Sequence, residues 1–336
     1  MGANRTWMCN SFDMSHWDYE EVAAELLRAL RGRRSQNAFS RRLGYKSNVV
    51  HCWEAGRAFP TASRTLHAAA RVGVDVPAAL VTLYRKPPGW FERLDATTPE
   101  GIAQFLNDLR GHLSLAQIAA FTGRNRFAIA RWLKCQTEPR LPDFLRLIEA
   151  TSLRMLDFVA ALVDPSTLPL VRDRWNELER SRRATYEHPW SQAVLRLLET
   201  QAYQRLRSVR LGWIAARLGI SLEQERQAVE ALLHTQQIEI TGGKYQVRSE
   251  SRVIDTRRDP EAAWALRTFW ADVALTRLKG RGEGLFSHNV FGVSEHDLGR
   301  LRELQKAYFN EVRAIIAQSE PVERVALLNV QLLPLA

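Results

Sequence analysis

Apolar residues recur at helical spacing through the first half of the chain, and the pattern comes round twice. In EEVAAELLRALRG (20–32) the apolar positions Val22, Leu26, Leu27 and Leu30 fall on one face of a helix. In EGIAQFLNDLRG (100–111), Ile102, Phe105, Leu106 and Leu109 do the same. Ser35 then stands where a helix N-cap is expected before SQNAFSRRLG, as Ser114 does before SLAQIAAFTG. Gly44 and Gly123 break the chain after that short helix, and a third helix ends at Trp53 or Trp132. A helix, a short turn holding Gly and a second helix form the helix-turn-helix pattern.

One register relates the two rounds. Trp53 and Trp132 are 79 positions apart, and the same offset joins Leu30 to Leu109, Gly32 to Gly111, Ser35 to Ser114 and Gly44 to Gly123. It also joins Val50 to Ile129, Pro60 to Pro139 and Leu66 to Leu145, with no gap. Agreement at so many apolar, Gly and Pro positions marks two copies of one folding unit, placed at 18–84 and 97–163.

Within the first copy, Ser35-Gln36, Leu43-Gly44, Trp53-Glu54-Ala55-Gly56-Arg57 and Pro60 resemble the phage-repressor (XRE) type of helix-turn-helix. The resemblance implies that the Trp-Glu-x-Gly-x-x-x-Pro run closes a DNA-recognition helix, and that Gln36 contacts DNA beside it. The second copy departs from the motif, with Leu115 in place of the Gln and Lys134-Cys135 in place of Ala-Gly. Reading bases, gripping phosphate and a structural role all stay open for it.

A recognition helix offers its N-terminal residues to base edges in the major groove. Here these are Lys46, Ser47, Asn48 and His51, with Val49 and Val50 read as core residues or contacts to a base methyl group. Asn pairs bidentately with adenine and Lys donates to guanine; Arg57, just past the helix, suits a phosphate. In the second copy the candidates are Asn125, Arg126 and Phe127, with Arg131 one turn later. Trp53 and Trp132 are core residues, and Glu54 is a local structural partner rather than an acid catalyst.

The second half is organised differently. Asp164-Pro165 and Leu168-Pro169 mark a loop, and a charged connector helix occupies the rest of 164–188. Its cluster Arg180, Arg182, Arg183 reads as solvated linker charge in preference to a DNA contact. Over 189–250, three helical segments, with Ser221 as an N-cap, precede Ile238, Ile240, Tyr245 and Val247 around Gly242-Gly243. Three helices and a hairpin read as a winged-helix-like domain. Glu223, Glu225 and Glu230 on its last helix would repel phosphate, which favours a structural or dimer-contact role.

Residues 251–336 read as a C-terminal helical dimerisation or sensor domain, in which Trp264, Phe269, Trp270, Tyr308, Phe309, Ile315 and Ile316 form a core or a dimer face. The apolar end ERVALLNVQLLPLA reads as strand-like. From Trp190 onward the chain resembles a bacterial family that joins a helix-turn-helix to an uncharacterised C-terminal domain. That family ends in Asn-x-Gln-apolar-apolar-Pro, matched by Asn329, Gln331, Leu332, Leu333 and Pro334, often with Phe where Leu333 stands. The resemblance implies a transcription regulator without naming an effector. The whole chain is therefore expected to be mainly α: two tandem helix-turn-helix bundles, a winged helix and a C-terminal helical domain.

Charge sharpens this picture. The 336 residues carry a net charge of +10, which suits a polyanionic partner. Cys9, Cys52 and Cys135 lie far apart, which argues against a disulfide scaffold or a thiolate zinc site and fits a reducing cytosol. An apolar run of roughly 20 residues, as a membrane span needs, is absent, and the N-terminus has no apolar signal core, so a cytoplasmic protein is expected.

Nucleotide-binding, zinc-protease and nucleophile-elbow motifs are missing, so neither enzyme activity, cofactor nor metal is expected. His288, His296 and Asp297 match no metal-ligand spacing, Ser294 reads as a helix N-cap, and KGRGEG (279–284) as a mobile loop. The expected function is a homodimeric, sequence-specific regulator of double-stranded DNA, a repressor before an activator. The alternatives are a regulator responsive to a peptide or small molecule, and an antitoxin-like protein whose C-terminal domain binds a partner.

Overall fold

The computed structural model describes residues 17–84, 88–111, 113–248, 256, 258–317 and 319–335; Cys9 lies outside them. They are mainly helical, with 17 α-helices and one two-stranded sheet among the described residues. The chain divides into two compact units, the boundary falling between Asn176 and Glu177.

The N-terminal unit opens with α1 (Tyr19–Arg31), α2 (Gln36–Arg42), α3 (Val49–Glu54), α4 (Ala62–Arg71) and α5 (Val76–Val81). The second copy supplies α6 (Pro99–Arg110), α7 (Leu115–Thr122), α8 (Arg126–Leu133), α9 (Leu141–Ser152) and α10 (Met155–Leu162). Each helix of the first five has its counterpart at the 79-residue offset. α1 and α6 end at Arg31 and Arg110, and each is followed by a Gly with positive φ (60° at Gly32, 53° at Gly111).

Caps start the short helices where the sequence places them. Ser35 Oγ accepts from the Ala38 N–H at 3.2 Å. Ser114 Oγ accepts from the Gln117 N–H at 3.2 Å while Gln117 Oε1 accepts from the Ser114 N–H at 2.9 Å, a reciprocal capping box. Gly56 (φ 68°) turns the chain after α3 in the left-handed region, and Cys135 (φ 56°) holds the same conformation after α8. A Cβ at Gly56 would meet nothing within 4 Å. Gly56→Ala is therefore expected to cost about 1 kcal/mol through backbone strain alone, read as a shift of the urea midpoint without a change of slope.

The copies are fused into one body. Ala62 N–H donates to Pro139 O at 3.0 Å, and Leu141 N–H donates to Pro60 O at 2.9 Å, flanking an antiparallel bridge between Thr61 and Arg140. These two bonds exchange into one another under the offset, so they mark a local two-fold axis. The packing obeys the same exchange: α1 lies on α9, α6 on α4, and α5 on α10. A single hydrophobic core results, running from Leu26, Leu27 and Phe39 of the first copy to Phe105, Phe144 and Phe158 of the second. Val171 and Trp175 from the start of α11 (Pro169–Glu187) join it.

In the C-terminal unit the later residues of α11 are not a free connector. Arg182 is 3% exposed and donates to Glu179 Oε1 at 2.9 Å, whereas Arg180 and Arg183 are exposed. The expectation of a wholly solvated basic cluster fails at Arg182, because its stem is packed and its charge is paired.

α12 (Trp190–Leu198), α13 (Gln201–Gln204), α14 (Trp213–Leu218) and α15 (Leu222–His234) precede β1 (Ile238–Thr241) and β2 (Lys244–Val247). Val194, Leu198, Tyr203, Ile214, Val229, Leu232 and Ile238 form their core. β1 and β2 pair antiparallel, Ile238 against Val247 and Ile240 against Tyr245. The turn between them is the expected Gly242-Gly243, both at positive φ as a two-residue hairpin turn requires.

Ser221 caps α15 as expected. Glu225 differs from the expectation of phosphate-facing acid: it is buried, and its carboxylate accepts from the N–H groups of Gly212 and Ala215 at 3.1 and 2.6 Å. Glu223 and Glu230 are exposed and both pair with Arg226.

α16 (Pro260–Lys279) and α17 (Glu295–Ala317) follow, with Ser294 Oγ accepting from the Asp297 N–H at 3.1 Å as an N-cap. Trp264, Tyr308, Ile315 and Ile316 are exposed, so they build no internal core; Phe269 and Trp270 instead meet the Trp190 ring edge to face. The apolar tail forms no strand among residues 319–335. It is held by other contacts, Gln201 N–H to Val322 O at 2.8 Å and Asn329 Nδ2 to Trp270 O at 2.9 Å.

Candidate nucleic-acid interface

The geometry of α2 and α3 is set from beneath. Phe39 and Val50 are fully buried, and the Tyr45 ring stands edge-on to Trp53 with centroids 5.6 Å apart. Ser40 Oγ accepts from the Val50 N–H and donates to Asn48 Oδ1, both at 3.2 Å. Glu54 ties the unit together. Its buried carboxylate receives Arg31 Nε at 2.5 Å, Arg31 Nη2 at 3.2 Å and Gln36 Nε2 at 2.7 Å, and its carbonyl receives Arg28 Nη2 at 2.6 Å. α1, α2 and α3 are thereby locked, and the polar edge of α3 is left pointing outward.

His51 on that edge is exposed, as are Lys46 and Ser47 in the turn before the N-cap Asn48 and Arg57 after the helix; α3 begins at Val49, later than the expected start near Lys46. Gln36 and Asn48 are half-buried and already employed. Gln36 donates to Glu54, and Asn48 is the N-cap of α3, its Oδ1 accepting from the His51 N–H at 3.4 Å. In the second copy Asn125, Arg126 and Arg131 are exposed, and Asn125 caps α8 by accepting from the Phe127 N–H at 2.8 Å. Phe127 is 65% exposed, with the Arg126 guanidinium 5.0 Å from its ring centroid.

Motif reasoning passed over further cations in the same stretches of sequence. Across 33–58 the charged residues are Arg33, Arg34, Arg41, Arg42, Lys46 and Arg57 against one carboxylate, Glu54, which is buried and paired. The equivalent stretch, 112–137, has Arg124, Arg126, Arg131 and Lys134 and no carboxylate. Arg33, Arg34, Arg41 and Lys134 are exposed, while Arg42 is bonded to Arg71 O and Arg124 to Asp143. The signal lay in the absence of acid rather than in any motif. Such basic stretches favour a polyanion, although beside the second one Glu100 and Glu138 lie close enough to act on Cys135.

The loops that follow α3 and α8 fold back in the same way. Arg57 and Ala58 N–H groups donate to Cys52 O at 2.9 and 3.3 Å; Gln136 and Thr137 N–H groups donate to Arg131 O at 2.9 and 3.4 Å. The last turn of each helix is thus held near the Thr61–Arg140 bridge.

In the C-terminal unit an open cleft of about 520 Å³ is lined by Glu179, Arg182, Tyr186 and Arg258. Arg182 and Arg258 pair with Glu179, and Arg183 and Asp259 also line the cleft. Groups of residues able to hold a metal ion are absent among the described residues, His288, His296 and Asp297 included. No helix among them is long and apolar enough to cross a membrane.

Residues 172–335 match a protein family described as a domain of unknown function (DUF4423). Comparison with curated proteins and with solved structures gives no match.

Proposed function

We propose that this chain is a sequence-specific regulator of transcription that binds double-stranded DNA through its N-terminal unit. In this reading α2–α3 and α7–α8 are helix-turn-helix modules of the XRE kind, α3 is a recognition helix, and α12–α15 with the hairpin form a winged helix with a structural role. The observation that carries it is the outward polar edge of α3, set among exposed cations with no free carboxylate across 33–58. Lys46 and Ser47 address base edges from the turn before the helix. Arg57, past its end, addresses phosphate; Gln36 and Asn48 reach DNA only after exchanging part of their present bonding to Glu54 and to the α3 N-terminus.

Self-association belongs to the C-terminal unit. Trp264, Leu275 and Leu278 on α16 and Leu304, Ile315 and Ile316 on α17 are exposed, apolar side chains that a partner surface could cover. A homodimeric repressor is the form of regulator proposed.

Two substitutions separate the roles. Lys46→Ala is expected to lower affinity for the preferred duplex by about 1–3 kcal/mol and to relax preference at the base it reads. Arg57→Ala is expected to weaken all duplexes about equally and to reduce the salt slope by about 1. Gel-shift competition between the preferred duplex and random DNA distinguishes them. If both variants bind like the unsubstituted chain, α3 is not the reading element.

A further inference from the structure

We infer that the two copies form a built-in pseudo-dimer, so that one chain grips two successive major grooves and reads an operator made of two dissimilar half-sites. The inference rests on the DNA-binding reading above and concerns how many chains, and which residues, occupy one operator. Three observations carry it.

The first is the reciprocal bond pair at Thr61 and Arg140. Two identical subunits meeting isologously place a residue on the axis opposite its own equivalent. Here equivalent residues of the two copies meet in that way inside one chain. A B-DNA duplex has local two-fold axes of its own, so a duplex laid across this axis presents the same geometry to α3 and to α8. The pairing of two recognition helices is already met within one chain, fixed by the shared core rather than by concentration, and self-association through the C-terminal unit adds a second such pair rather than completing the first.

The second is reach. Ala58 N is bonded to Cys52 O, and Thr137 N to Arg131 O, so three residues lead from each helix's last turn to the axis. Three residues span at most about 11 Å. The two last turns therefore lie within roughly 35 Å of one another, allowing about 5 Å for the bridge itself. Successive major-groove segments on one face of B-DNA are about 34–36 Å apart. A spacing of two turns is out of reach.

The third is that the two reading edges differ chemically. At the 79-residue offset Lys46 corresponds to Asn125, Ser47 to Arg126, Asn48 to Phe127 and Cys52 to Arg131. Phe127 stands out in solvent with Arg126 beside it, and nothing inside the unit explains that exposure. An aromatic ring suits the methyl group of thymine, and a guanidinium beside it suits the O6 and N7 of guanine. The second half-site is therefore a thymine next to guanine, unlike the half read by Lys46 and Ser47.

Selection from a library of random duplexes with the full-length chain tests this, repeated with Lys46→Ala and with Arg126→Ala. Both residues are exposed, so the variants keep the fold. The expected result is two unlike half-sites about one helical turn apart, with each variant losing preference in one half only and binding the original site at least about tenfold more weakly. A palindrome whose two halves are both erased by Lys46→Ala, and neither by Arg126→Ala, overturns the inference and leaves DNA binding intact. A single half-site does the same. Absence of any enriched duplex overturns the DNA-binding reading itself, and this inference with it.

Discussion

Phe144→Ala is expected to destabilise the N-terminal unit by about 3–5 kcal/mol, and to do so for both copies at once. Phe144 belongs to the second copy and has no exposed surface; its ring centroid lies 6.0 Å from that of Phe105 and 5.5 Å from that of Phe158. Its counterpart in the first copy is Thr65, also fully buried, whose Oγ1 donates to Thr61 O at 3.0 Å. The large residue on one side of the local axis is thus answered by a small one on the other, so truncation leaves a cavity that Thr65 cannot fill.

For a unit of this size the melting temperature should fall by on the order of 10 °C. Among the ten tryptophans, the indole N–H resonances of Trp53 and Trp132, resolved individually by NMR, report on the two copies separately. With one core their signals should shift together. If only the Trp132 signal moves, the copies are independent domains, and the pseudo-dimer loses its physical basis.

Glu54→Ala is expected to cost about 3 kcal/mol. The carboxylate is buried, it pairs with Arg31 at 2.5 Å, and it accepts from Gln36 at 2.7 Å. Removing it leaves a guanidinium whose remaining acceptors, the carbonyls of Gly32 and Arg34, sit on Nη1 alone. It also frees α2 from α3, so under the proposed DNA-binding function affinity for duplex DNA should fall as well. Glu54→Gln keeps an acceptor for Arg31 without the charge and should recover part of the stability. Urea unfolding of the two variants checks this; equal midpoints for Ala and Gln would mean the hydrogen bonds at Glu54 carry no stability.

Much of the N-terminal unit was legible in the sequence because a repeat shows its own register. The offset that aligns Trp53 with Trp132 also aligns the ends of α1 and α6 and the caps Ser35 and Ser114. The hairpin was legible because a Gly-Gly pair between alternating apolar residues permits few other turns. The bridge between Thr61 and Arg140 was not: pairing between copies depends on which surfaces meet, and sequence offset is silent on that.

At the site, Lys46 and Arg57 could be picked out as charged residues flanking the short helix, one before it and one after it. The competing duty of Asn48 and Asn125 as N-caps follows only from where α3 and α8 begin. α8 starts two residues earlier in the offset register than α3, a difference no motif records. The apolar tail misled for a related reason. Alternation reads as a strand only when a neighbouring strand supplies hydrogen bonds, and the tail finds side-chain amides and lone N–H groups instead.

The most direct test is the salt dependence of binding to duplex DNA, measured by fluorescence anisotropy with the full-length chain and with Arg41→Ala, Lys46→Ala and Arg57→Ala combined. Six phosphate contacts would give a slope of log affinity against log salt of about −5, and removing three cations should flatten it by about 2 to 3. A slope near zero, or one that the triple substitution leaves unchanged, would contradict the assignment of the basic stretch 33–58 as the surface that receives the duplex.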